Sequence, residues 1–244
     1  MTSLIETVID YIFPPRCISC AEVLPVSYPD QLCFECHGLL ERCENDAEGS
    51  NFSLYVYSDT IQHAIHRFKY GLRPAYGKYL GMLMADHAPQ VLPRWLTVDI
   101  VVPVPLHDTK QRERGFNQAE ILASAICERL GLTLDTQLLS RVRNTDHQAK
   151  LSADERRCNM RNAFAVQSAE AAANKTVLVI DDIYTTGSTV SECAAVLLSA
   201  GASRVFSYAL SKAQLEETTL KNHQHYDNNL KFSKNANIND NLFR

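Results

Sequence analysis

Two adjacent carboxylates, Asp181 and Asp182, end an apolar run and precede Thr185-Thr186-Gly187-Ser188-Thr189, four hydroxyl residues around one glycine. That composition suits a phosphate monoester. Backbone N–H groups of the turn and of the helix it opens point at an anion, and the hydroxyls add donors. Gly187 permits close backbone approach. The carboxylates can accept from vicinal ribose hydroxyls and help hold Mg²⁺. Helix capping by Ser or Thr explains one hydroxyl, not four, and needs no paired carboxylates. Neither G-x-x-x-x-G-K-[ST] nor G-x-G-x-x-G occurs in the chain.

A second constellation is Cys17-x-x-Cys20 and Cys33-x-x-Cys36, two pairs separated by twelve residues. Four thiolates at this spacing can surround one structural Zn²⁺ tetrahedrally. A redox dithiol is the alternative, but such a pair usually opens a helix in a βαβ context, which this segment lacks. Cys43, Cys127, Cys158 and Cys193 are scattered and read as inert cysteines.

Cations follow two stretches. After Pro103-Val104-Pro105-Leu106 come Lys110, Arg112 and Arg114, which either clamp phosphate oxygens or form a solvated charge run. Residues 141 to 162 carry Arg141, Arg143, Lys150, Arg156, Arg157 and Arg161 without clear periodicity, and His147 reads as solvent-exposed.

The elements that must place these groups alternate in type. Helical spacing of apolar residues is expected over 3–13, 60–70, 76–88, 117–130 (stopped by Gly131) and 188–200 (stopped by Gly201). Strands are expected at 53–58, 98–106, 177–182 and 204–210. Apolar strands alternating with helices predict a doubly wound parallel α/β sheet, whose ligands bind at the carboxyl edge. The cysteine segment, residues 1–45 with its leading helix, forms a small knuckle, and the polar stretch 44–52 reads as a linker. The main domain spans 52–212, and residues 213–244, with seven asparagines, read as a disordered tail.

The 244 residues, 45% hydrophobic and 21% charged, allow a sizeable core. The net charge of −4 excludes wholesale electrostatic capture of nucleic acid, so any polyanion must meet a local basic patch. With no long apolar run and no basic leader, the sequence predicts a cytoplasmic protein without membrane insertion.

DDIYTTGST closely resembles the PRPP-binding motif of type I phosphoribosyltransferases. VVPVPLHDTKQRERGFNQAEILA and RVRNTDHQAKLSADERRCNMRNAFAV are similar to stretches of the ComF family, associated with competence and DNA uptake, which includes the GntX-like proteins. The resemblance covers about residues 14–212 and implies the type I phosphoribosyltransferase fold. It implies that Asp181 and Asp182 contact the ribose hydroxyls, that Thr185, Thr186, Gly187, Ser188 and Thr189 bind the 5-phosphate, and that Val104, Pro105 and Leu106 form the pyrophosphate loop. Arg112 and Arg114 join the aspartates as catalytic candidates, with Mg²⁺ accompanying PRPP. Residues 141–162 correspond to the mobile loop over the site, and Lys69 and Tyr70 of HRFKYG to its hood, unless they only pack a helix face. The implied role is DNA uptake or processing beside single-stranded DNA, a helicase or processing proteins. A nucleobase-salvage transferase and a non-catalytic PRPP sensor are the alternatives.

Overall fold

The computed structural model describes residues 14–26, 28–71, 73–143 and 162–213. The expected helix at 3–13, the residues His147, Lys150, Arg156, Arg157, Cys158 and Arg161, and the tail from 214 lie outside them.

Four parallel strands form the sheet, in the order β1-β6-β5-β2: β1 (Asn51–Val56), β2 (Ile100–Pro103), β5 (Thr176–Tyr184) and β6 (Arg204–Lys212). The central strand shows why the sequence folds this way. Leu178 and Ile180 enter one core and Val177 and Val179 the other, all fully buried, so both faces of β5 must be covered. Each such side chain contributes about 1.5–3 kcal/mol by leaving water.

One face is covered by α2 (Asp59–Tyr70), α3 (Pro74–Val91) and α5 (Gln118–Leu130). The opposite face is covered by α7 (Ser188–Ser199) and by an antiparallel hairpin of β3 (Leu139–Arg141) and β4 (Phe164–Val166). A short α6 (Ala169–Ala172) leads into β5. Gly77 of α3 sits where an added Cβ would be 2.7 Å from Ile121 and would overlap the Phe68 ring, so glycine lets α3 approach the end of α2.

Several boundaries differ from expectation, each for a local reason. Strand β2 stops at Pro103, because proline cannot donate to a ladder, although Val104 N–H still donates to Ile180 O at 2.9 Å. The stretch after it is not open loop but a helix, α4 (Asp108–Arg114), capped by the His107 ring and ended by Gly115 at φ +81°. Arg141 is not part of the loop expected over 141–162; it is the last residue of β3 and is buried.

Among its described residues the cysteine segment contains one short helix, α1 (Phe34–Gly38), and is tied into the same core through Cys17, Ile18, Leu24 and Leu32. Of the polar stretch 44–52, residues 44–50 form a pinned turn, and Asn51 and Phe52 already belong to β1. The Asn45 side chain accepts from Ser53 N–H at 2.8 Å and donates to Ser53 O at 2.9 Å, while Cys43 N–H reaches Leu54 O. The Tyr79 hydroxyl of α3 donates to the Asp30 carboxylate.

Candidate functional site

Parallel strands deliver their chemistry at the carboxyl edge. Register pairing sets Pro103 beside Ile180, Asp181 beside Ala209 and Tyr184 beside Lys212, so the Val104–Leu106 turn leaves the sheet next to the two aspartates. The Asn117 side chain fixes that turn. Its Nδ2 donates to Val104 O at 3.0 Å while its Oδ1 caps α5 by accepting from Ala119 N–H.

The hydroxyl-rich loop closes over the end of β5. Gly187, at φ +74°, is the N-cap of α7 and offers no capping side chain; a Cβ there would run into the Tyr184 phenol. The Thr186 and Ser188 hydroxyls bond each other at 2.9 Å instead of closing the helix end. Positive dipole, hydroxyls and carboxylates thus meet in one place.

The carboxylates are electrostatically unequal. Asp182 N–H donates to the Asp181 carboxylate at 2.8 Å, and Asp182 is ion-paired to Lys69 of α2. Burial, with the Asp182 charge beside it, pushes Asp181 up to about 8. Burial also opposes ionisation of Asp182, but Lys69, the Asp181 hydrogen bond and Arg114 together hold it below the usual carboxylate range. Asp181 therefore holds its proton more readily than Asp182.

The cationic candidates separate. Arg114 lies over the Tyr70 ring at 5.3 Å, and its charge reaches Asp182, which places it with the aspartates. Arg112, two residues earlier on α4, lines an open cleft of about 400 Å³ with Asp108, Gln111 and Gly115. Sequence reasoning undervalued Lys69 and Arg141. The first was read as part of a hood or of a packed helix face; the second is buried over Phe164, and burial pulls its guanidinium down. Ion pairing between α2 and β5 leaves no local spacing signal in a sequence.

Far along the chain, Cys17, Cys20, Cys33 and Cys36 bring their sulfurs within 4.8 Å of one another, an arrangement that can hold a metal ion. Backbone N–H groups of Cys33 and Cys36 donate to Cys17 and Cys33 sulfurs at 3.4 Å. Burial raises Cys36 to about 12, whereas such N–H bonds overcome burial at Cys17 and bring it to about 7.

A parallel sheet thus delivers paired carboxylates and a hydroxyl-rich helix start to one edge. The phosphoribosyl transferase domain family matches residues 113–238. The chain is 32% identical over 164 residues to the DNA utilization protein YhgH of Salmonella typhi, 66% of this chain and 70% of that one. It is 34% identical over 116 residues to competence protein F of Haemophilus influenzae, 47% of this chain and 51% of that one. It is also 28% identical over 165 residues to competence protein ComFC of Bacillus subtilis, 67% and 64% of the two chains. The chain belongs to the phosphoribosyl transferase domain family, in its ComF-type branch. No helix among the described residues is long and apolar enough to cross a membrane.

Proposed function

We propose that this chain binds PRPP at the β5–α7 loop and uses that binding in the handling of DNA, as the names of its relatives indicate for them. The observation that carries the reading is the open N-terminus of α7 set beside the Asp181–Asp182 pair. The 5-phosphate takes the N–H groups and hydroxyls of Thr185 to Thr189, and the carboxylates accept from the two ribose hydroxyls. Val104, Pro105 and Leu106 border the pyrophosphate, with Arg114 on the near side and Arg112 on the outer one.

Two groups fit the donor sets present. Paired carboxylates with a ligand's phosphates are the partners Mg²⁺ takes, and the Lys69 ammonium on Asp182 marks a place that accepts a cation. Mg²⁺ would be held by Asp181 and Asp182 and supply neutralisation of the pyrophosphate. Zn²⁺ would be held by Cys17, Cys20, Cys33 and Cys36. The 3.7 Å between the Cys20 and Cys33 sulfurs supports it, since sulfurs on a tetrahedral ion with bonds of about 2.3 Å lie about 3.8 Å apart. Its role is structural, because four thiolates leave no open position. The division at residues 45 to 52 is functional, with metal-holding before it and ligand binding after it. The setting is the cytoplasm, and the partners are DNA-processing proteins or single-stranded DNA.

Calorimetry with Mg²⁺–PRPP tests the reading, with saturable binding expected. No heat and no protection from thermal unfolding by the ligand would refute it. A nucleobase panel followed by pyrophosphate release then separates transfer from sensing.

A further inference from the structure

We propose that Lys69 is an internal counter-ion of the phosphoribosyl site, resting on Asp182 in the ligand-free protein and moving to the ligand's phosphate oxygens when a divalent cation takes its place. The inference rests on the PRPP reading and adds the order of events at the site.

The geometry carries it in three steps. First, the Lys69–Asp182 pair is largely withdrawn from water, with side-chain exposures of 18% and 14%. A carboxylate so placed requires a cation, and removing one partner leaves the other buried and uncompensated. Lys69 supplies that cation from a different element, the last turn of α2, where the free carbonyls favour positive charge.

Second, the end of α2 is held firmly while its lysine is not. Phe68 is fully buried against α3 and Phe116, with ring centroids of the two phenylalanines 5.5 Å apart. Tyr70 is flanked by His66 at 4.8 Å and by the Arg114 guanidinium at 5.3 Å. The backbone is therefore anchored beside residue 69 by the buried Phe68, whereas lysine is a point charge on a flexible stem with no forked geometry to lose on moving.

Third, charge balance demands an exchange. PRPP is a polyanion, and its ribose hydroxyls must reach the carboxylates that Lys69 now neutralises. A divalent cation arriving with the ligand replaces the ammonium at Asp182, and the displaced ammonium finds phosphate oxygens at the same edge of the sheet. Metal without ligand meets a competitor; metal with ligand does not. The site consequently binds the two together rather than the metal first.

The test measures free Mn²⁺ by electron paramagnetic resonance, without PRPP, and Mg²⁺–PRPP by calorimetry. Lys69→Met should bind Mn²⁺ about tenfold more tightly than wild type, the equivalent of about 1.4 kcal/mol of lost competition, while its Mg²⁺–PRPP affinity falls by a similar factor. Lys69→Arg keeps the charge and should bind Mn²⁺ as wild type does. Unchanged Mn²⁺ affinity in Lys69→Met overturns the proposal, and so does equal tightening in both variants, which would report a repacked end of α2. If wild type fails to bind Mg²⁺–PRPP, the phosphoribosyl reading falls by itself, and the Mn²⁺ comparison still reads the counter-ion.

Discussion

The cysteine cluster and the β5–α7 loop are both short local motifs, yet they are built to opposite ends. In the cluster, four sulfurs face one another within 4.8 Å, backbone N–H groups already support their charge, and Cys17, Cys33 and Cys36 are buried. In the loop, the polar groups lie at the sheet edge: α7 starts without a side-chain cap, and Asp181 is pushed up while Asp182 is held down by Lys69. A closed shell converts metal binding into folding energy. An open one leaves unmet demand for a ligand, held in check here by Lys69.

Breaking the closed shell should have the largest effect. Cys17→Ser or Cys33→Ser, or a strong chelator, is expected to drop the zinc content from about one per chain to near none. Loss of the metal should cost more than about 4 kcal/mol, because Cys17, Ile18 and Leu32 belong to the main core. Elemental analysis and thermal melts check this. Protein purified without chelator and containing no zinc would erase the contrast with the loop.

The open site should respond in the opposite way. Asp181→Asn with Asp182→Asn is expected to weaken Mg²⁺–PRPP binding by more than about 100-fold, a loss of about 2.7 kcal/mol or more. The fold should survive with a melting temperature lowered by several degrees, because Lys69 loses its carboxylate partner. Undiminished calorimetric affinity would remove the aspartates from the site.

Legibility in the sequence followed the range of the interaction. Strand β5, α7 and the cysteine pairs are local in pattern, so apolar runs and spacing placed them, as did Asn117 and Gly131 at the ends of α5. The β3–β4 hairpin was invisible because its strands are three residues each and their partners lie across the basic stretch. Helix α4 was masked by its charge, DTKQRER, which carries no apolar stripe to signal a period. Lys69 was legible as a residue but not as a partner, since its carboxylate lies more than a hundred positions away.

A pH series sharpens the electrostatic half of the comparison. A carboxyl raised to about 8 holds its proton more tightly folded than unfolded. Its contribution to stability is therefore full below the ordinary carboxylate range near 4 and is lost as pH rises through about 8. Ligand binding needs the ionised form, so Mg²⁺–PRPP affinity should rise by up to about fifty-fold between pH 6 and 8 beyond the ligand's own ionisation. Asp181→Asn shares the ligand's titration but lacks the carboxyl, so the ratio of the two affinities isolates it. A flat ratio would mean that Asp181 is ionised throughout.

The smallest effect concerns how the two regions are joined. Asn45 makes two hydrogen bonds to the Ser53 backbone, and Asn45→Ala leaves a half-buried N–H and C=O to find water. About 1–2 kcal/mol of destabilisation is expected, at the low end if water enters easily. The informative reading is cooperativity. Shared burial of Leu24, Leu32, Phe52 and Leu54 in one core predicts that the variant still unfolds in a single transition, at a lower temperature. A separate early transition that releases zinc would instead mean that the side chain of Asn45, more than the apolar contact, binds the closed shell to the open one.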